Sequence, residues 1–261
     1  FTPFITVSVG MPGDHHVRKA IITNDCVGCN LCIPTCPTDA IPSNLVIIPD
    51  LCIGCGNCEA ACPPAASAIK YNHNSKELSS LLPKCVDAGA ESIELHAGVP
   101  DDASTIDEWK VVSDSVPNGM ISMCLDRKHL SNEMVIERIK LAKKIADDRL
   151  IIQADGIPMS GGTDDFNTTL QAVSIADFIN KEIKQKEKIF SKLPVLISGG
   201  TNSYTGDLAR NYGVAFNGIT IGTHARKVIR QFESKPNEMS NENLLMAISN
   251  AKKLIISNLK S

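Results

Sequence analysis

Eight of the ten cysteines fall between Asp25 and Pro63, in two runs of identical spacing. The first is Cys26-x2-Cys29-x2-Cys32-x3-Cys36 followed by Pro37; the second is Cys52-x2-Cys55-x2-Cys58-x3-Cys62 followed by Pro63. Three thiols at three-residue intervals can wrap one corner of an iron–sulfur cubane. Where two such runs occur together, the fourth cysteine of each, just before proline, ligates the other cluster. That rule assigns Cys26, Cys29, Cys32 and Cys62 to one [4Fe–4S] cluster, and Cys52, Cys55, Cys58 and Cys36 to a second. Zinc is the competing chemistry, but a structural zinc site takes four ligands in total, usually two Cys-x2-Cys pairs set well apart. A third cysteine at the same interval and a closing Cys-Pro, both repeated, favour iron–sulfur.

The spacing is that of a bacterial-type 2[4Fe–4S] ferredoxin, and the region is an internal repeat. Ile-Ile-Thr-Asn-Asp-Cys26 is echoed by Ile-Ile-Pro-Asp-Leu-Cys52, and Thr-Asp-Ala-Ile41 more loosely by Ser-Ala-Ile69. Each half is expected to give a short strand, a ligand loop and a helical turn. Gly28, Gly54 and Gly56 lie between ligands, where a chain bending around a cluster uses the freedom of a residue without Cβ; plain loop flexibility asks for the same residue. Cys85 and Cys124 have no partner at ligand spacing and are expected to be small buried hydrophobes.

Around this module the chain alternates short apolar strands with helices. Strands are expected at residues 4–9, 92–98, 119–125, 149–155, 193–200 and 217–222. Helices are expected at 76–89, 102–114, 132–147, 167–190, 204–212, 224–232 and 241–259. The clearest helix carries Val135, Ile136, Ile139, Ala142, Lys143 and Ala146 on a 3.6-residue stripe, with Ser131 as its N-cap. Such alternation implies parallel pairing.

The fold expected is α/β: a TIM-like (β/α) barrel at residues 1–19 and 73–261, interrupted by the ferredoxin module at residues 20–72. Only six barrel strands are visible. The shortfall from a barrel of eight strands and roughly 250 residues is about two βα units of roughly 30 residues each. A barrel lacking its first two units also suits the start at Phe1, which leads almost directly into a strand and reads as processed or truncated. A six-stranded open sheet is the alternative.

In a barrel, chemistry gathers where strands end. That rule selects the segments at His15-His16, Glu94–His96, Cys124–Asp126, 155–162, 198–202 and 222–226. Ser198-Gly-Gly-Thr201 and Gly222-Thr-His-Ala-Arg226 occupy the two loops that most often hold phosphate, so Gly199, Gly200, Thr201, Gly222 and Arg226 are candidates for a flavin phosphate or another phosphate-bearing ligand. Paired glycines also serve tight turns. Asp155 with Pro158-Met159-Ser160-Gly161 makes the most irregular of these loops, either a binding element or a demanding turn. His15 and His16, beside Asp14 and Arg18, could tune a cluster or meet a partner, and a solvated polar loop is the plainer reading.

A formal net charge of −3 gives no field of one sign for nucleic acid or an anionic membrane. No apolar run reaches the roughly 20 residues of a membrane-spanning helix, so no membrane insertion is expected. With eight cysteines at ligand spacing rather than in a disulfide framework, a reducing compartment is favoured.

Beyond these features the chain resembles the light-dependent period protein (LdpA) family of cyanobacteria and plastids. The resemblance is carried by Pro3-Phe-Ile-Thr-Val-Ser-Val9, Asp14-His15-His16-Val17-Arg18-Lys19-Ala20, both cysteine runs, Asp155-Gly-Ile-Pro-Met-Ser-Gly161, Ser198-Gly-Gly-Thr-Asn202 and Gly222-Thr-His-Ala-Arg-Lys227. The first cysteine run has the regular ferredoxin form, which members of that family do not all keep. The resemblance implies a barrel interrupted by a ferredoxin module. It also implies a redox-active iron–sulfur protein that reports the state of photosynthetic electron transport, to the circadian clock in cyanobacterial relatives, in the plastid stroma or the cyanobacterial cytoplasm.

The function expected is electron transfer or redox sensing by two [4Fe–4S] clusters, non-enzymatic, with a redox protein or a photosynthetic complex as partner. One alternative is an iron–sulfur oxidoreductase with a flavin or phosphate-bearing ligand at the loops above. Another is a structural subunit of a photosynthetic complex.

Overall fold

The structure is a computed structural model that describes residues 5–11, 14, 18–52, 54–73, 78–157, 165–222, 224, 225, 228, 232 and 240–259. By contacts the chain divides into two compact units, Phe1–Ser122 and Met123–Ser261.

In the first unit, β1 (Thr6–Gly10) pairs in parallel with β4 (Ser92–His96), Thr6 opposite Ser92 and Gly10 opposite His96. Between them β2 (Arg18–Ile22) and β3 (Ile69–His73) form a separate antiparallel two-stranded sheet, with Ala20 opposite Tyr71. This hairpin brackets both cysteine runs and the short helix α1 (Asn57–Ala61). Helix α2 (Leu78–Asp87) continues through Pro83 and buries Leu78 and Leu82. Helix α3 (Asp102–Ser115) begins where the Asp101 carboxylate accepts the Ser104 N–H, and it buries Trp109 and Val112 completely. Strand β5 (Ile121–Leu125) follows, every residue buried.

In the second unit, α4 (Asn132–Ala146) starts at Ser131, whose hydroxyl accepts from the Met134 N–H at 3.3 Å. Its stripe of Val135, Ile139, Ala142 and Ala146 is buried. Strands β6 (Leu150–Asp155), β7 (Val195–Ser198) and β8 (Gly218–Ile219) are parallel neighbours, Asp155 opposite Ser198 and Ile197 opposite Ile219. Helix α5 (Asp165–Ile179) passes into a π-turn at Asn180–Lys184, where Asn180 donates its amide to the Ala215 carbonyl at 2.7 Å. Helices α6 (Thr205–Asn211) and α7 (Asn241–Leu259) are joined by buried Asn258, which accepts the Gly206 N–H and donates to the Asn202 carbonyl. The helix expected at 224–232 lies largely outside the described residues.

The six strands outside the hairpin form one mostly parallel sheet in the order β1-β4-β5-β6-β7-β8. Among the described residues the sheet is not closed, with β1 and β8 at its ends, so the expected TIM-like barrel is not shown. Closing a parallel barrel takes eight strands, whereas the described residues give six, the last of them two residues long.

Candidate iron–sulfur site

The eight ligand-spaced cysteines gather around two cavities. One is lined by Cys26, Cys29, Cys32 and Cys62, together with Ile22, Val27, Leu45 and Ile69. The other is lined by Cys36, Cys52, Cys55 and Cys58, together with Ile41, Ile47 and Tyr71. Each cavity has a volume of about 20 Å³, so the sequence repeat has become a repeat of shape. In both, the fourth cysteine of one run sits with the first three of the other.

The loops that make these cavities need unusual backbone. Gly28 and Gly54, at equivalent places in the two runs, share φ = 67°. Two residues on, Asn30 (φ 60°) and Gly56 (φ 90°) are also left-handed, a conformation that asparagine and glycine tolerate best. Gly56 has a second reason: a Cβ there would stand 3.1 Å from a guanidinium nitrogen of Arg18.

The donor chemistry fits a cubane. Four soft thiols converge on each apolar cavity, and among the described residues no carboxylate or imidazole lines either one. Backbone N–H groups already point at the sulfurs: Ala40 donates to Cys36 Sγ at 3.2 Å, Ala20 to Cys52 Sγ and Ala68 to Cys62 Sγ, both at 3.4 Å. Such bonds to sulfur help set the potential of a bound cluster.

Burial raises the pKa of Cys32, Cys55 and Cys58, that of Cys58 to about 11, with the neighbouring Cys55 charge adding to the effect. A thiol with a raised pKa holds its proton at neutral pH and must release it to bind iron. Iron uptake at sub-saturating, chelator-buffered iron is therefore expected to rise between pH 7 and 9, by up to about tenfold per pH unit for each proton released. Anaerobic reconstitution read by bound iron checks this, and uptake that falls with pH would contradict it.

The other expected site residues are placed as follows. Gly199 (φ 73°) and Gly200 (φ 62°) form one turn after β7. A Cβ on Gly199 would meet Asp155 Oδ1 at 2.3 Å, and one on Gly200 would meet Thr168 Cβ at 2.5 Å. The Gly200 carbonyl accepts from the Thr169 hydroxyl and the Asn202 amide, and the Thr201 hydroxyl donates to the Thr220 carbonyl. Close packing inside the protein thus accounts for both glycines. Gly222 is exposed beyond β8. Arg226, His15, His16 and Pro158-Met159-Ser160-Gly161 lie outside the described residues. Glu94 and His96 approach to 3.3 Å on β4. Cys124 is buried, as a small apolar residue would be, and Cys85 is half-buried.

Sequence reasoning did not single out Arg18, Lys19 and Tyr71 as a group at the second cavity. The Arg18 guanidinium stacks on the Tyr71 ring at 3.9 Å and donates to the Gly54 carbonyl at 2.9 Å. Lys19 donates to the Cys52 carbonyl at 2.5 Å. Tyr71, its pKa raised by burial, keeps its proton and donates to Glu59. The available signal was a break in the repeat: 26 residues further on, Arg18 and Lys19 become Asn44 and Leu45.

Two family models match the chain. A 4Fe-4S binding domain matches residues 19–41 and 45–66, one cysteine run in each segment, which makes this an iron–sulfur protein of ferredoxin-like type. The light dependent period A C-terminal domain matches residues 85–257. The chain belongs to the LdpA family. No curated protein matches it.

Proposed function

We propose that this protein is a one-electron carrier or redox sensor with two [4Fe–4S] clusters, one held by Cys26, Cys29, Cys32 and Cys62 and the other by Cys36, Cys52, Cys55 and Cys58. The observation that carries this is the grouping of the cysteines around two equal cavities, four to each. When bound, the clusters supply electron storage. The chain's own residues supply the thiolates, donate N–H groups to sulfur and limit water at the buried Cys32, Cys52 and Cys58. Residues 20–72 act as the redox module, and residues 1–19 with 73–261 as a scaffold that presents it to a protein partner.

Family membership supports a link to photosynthetic electron transport, in a plastid stroma or a cyanobacterial cytoplasm, with a redox protein or a photosynthetic complex as partner. Among the described residues no helix is long and apolar enough to cross a membrane.

Anaerobic purification followed by iron, sulfide and flavin analysis tests the reading. About eight irons per chain and no flavin are expected. Stoichiometric flavin would favour the oxidoreductase alternative, and tight co-migration with a photosynthetic complex on a native gel would favour a structural subunit.

A further inference from the structure

The two cavities are alike in shape and unlike in charge. Around the second, Arg18 and Lys19 are tied to the ligand loop through the Gly54 and Cys52 carbonyls, and Arg18 lies on Tyr71, which lines the cavity. Gly56 leaves the room in which the guanidinium sits. Among the described residues, none that lines the first cavity is charged or aromatic.

The hydrogen bonds differ in the same sense. Ala20 N–H donates to Cys52 Sγ, whereas at the corresponding place in the other half Val46 N–H donates to the Asn44 side chain at 3.1 Å. The Thr38 hydroxyl lies 3.7 Å from Cys36 Sγ, a further contact at the second cavity. Cationic neighbours and N–H···S bonds stabilise the more negative, reduced state of a cluster and raise its potential. Two opposing effects are smaller. Glu59, the partner of Tyr71, is exposed and screened, and water reaching the exposed Cys29 acts at high dielectric.

We infer that Arg18, with Lys19, makes the two sites unequal, so that an electron rests at the site of Cys36, Cys52, Cys55 and Cys58 and is exchanged through the site of Cys26, Cys29, Cys32 and Cys62. This rests on the two-cluster reading above. The internal step is balanced: the first site loses one electron as the second gains it, and no co-reactant is needed. Arg18 is a potential-setting residue and not a ligand.

The test is an anaerobic redox titration of the full chain with both clusters loaded, followed by EPR. The two one-electron steps are assigned with Cys29→Ala and Cys55→Ala variants, each keeping one site. In the unaltered protein the Cys55 site is expected to reduce first. Arg18→Gln is expected to lower that site's electron affinity about tenfold, which for one electron is about 59 mV, while the Cys29 site stays put. Arg18→Lys is expected to restore most of the difference. Lys19→Gln gives a second reading, with a smaller shift of the same sign at the same site. Eight irons with the Cys29 site reducing first, or with both steps moving equally in Arg18→Gln, would overturn this inference and leave the two-cluster reading standing. About four irons in the unaltered protein would overturn both.

Discussion

Stripping iron with a strong chelator is expected to unfold residues 18–73 while the six-stranded sheet and its helices keep their fold. The reason lies in what the module has to bury. Its core consists of Ala20, Cys32, Ala40, Ile41, Cys52, Cys58 and Ile69, of which three are cysteines and two are alanines. Among the described residues its regular structure is a pair of five-residue strands and the five-residue helix α1. A segment of about 55 residues with so small an apolar core has little stability of its own, so binding free energy for the clusters is folding free energy for the module. Trp109, the single tryptophan, is fully buried on α3 outside the module and reports on the rest. Limited proteolysis after chelation is expected to cut within 18–73, with Trp109 emission unchanged. Protection of the module against protease, or exposure of Trp109, would contradict this account of its stability.

Gly199→Ala is expected to cost about 4 kcal/mol or more, among the largest effects of a single substitution. Two penalties combine. Gly199 sits at φ = 73°, where a side chain is strained. Its Cβ would also fall 2.3 Å from Asp155 Oδ1 and 2.4 Å from the Gly156 carbonyl oxygen, and the latter is backbone that cannot rotate away. Gly156→Ala meets the same junction from the other strand, its Cβ 1.9 Å from the Thr168 carbonyl oxygen. Gly28→Ala is the control for φ alone: it has φ = 67° but open space at its Cβ, so about 1 to 2 kcal/mol is expected. Denaturant unfolding of the three variants measures the order, and a Gly199→Ala variant no less stable than Gly28→Ala would refute the packing argument.

The parts of this molecule that could be read from the sequence are those written in local pattern. All six strands of the main sheet occur where short apolar runs predict them, because burial on both faces makes β5 and β6 almost continuously apolar. Ser131 caps α4 because the N–H its hydroxyl accepts is only three residues further along the chain. The triplets of cysteines within each run were legible for the same reason, whereas the crossing of Cys36 and Cys62 followed from the rule for paired runs. Closure of the sheet was not legible, as it depends on how many strands pair and on the length of the last one, which shrank to Gly218–Ile219. The paired glycines at 199 and 200 looked like a phosphate cradle. Their demand is set by Asp155, Gly156 and Thr168, which are far away in sequence. The group formed by Arg18, Lys19 and Tyr71 was hidden likewise, because only the antiparallel register of β2 and β3 brings residue 18 and residue 71 together.

The central claim is crossed ligation, in which Cys36 serves the cluster of the second run. The most direct measurement is iron per chain in anaerobically reconstituted Cys36→Ala, Cys55→Ala and the double variant. If both cysteines hold the same cluster, the second substitution removes nothing further, and all three proteins should retain about four irons. If each run instead ligates its own cluster, Cys36 belongs with Cys26, Cys29 and Cys32, and the double variant should fall to almost none.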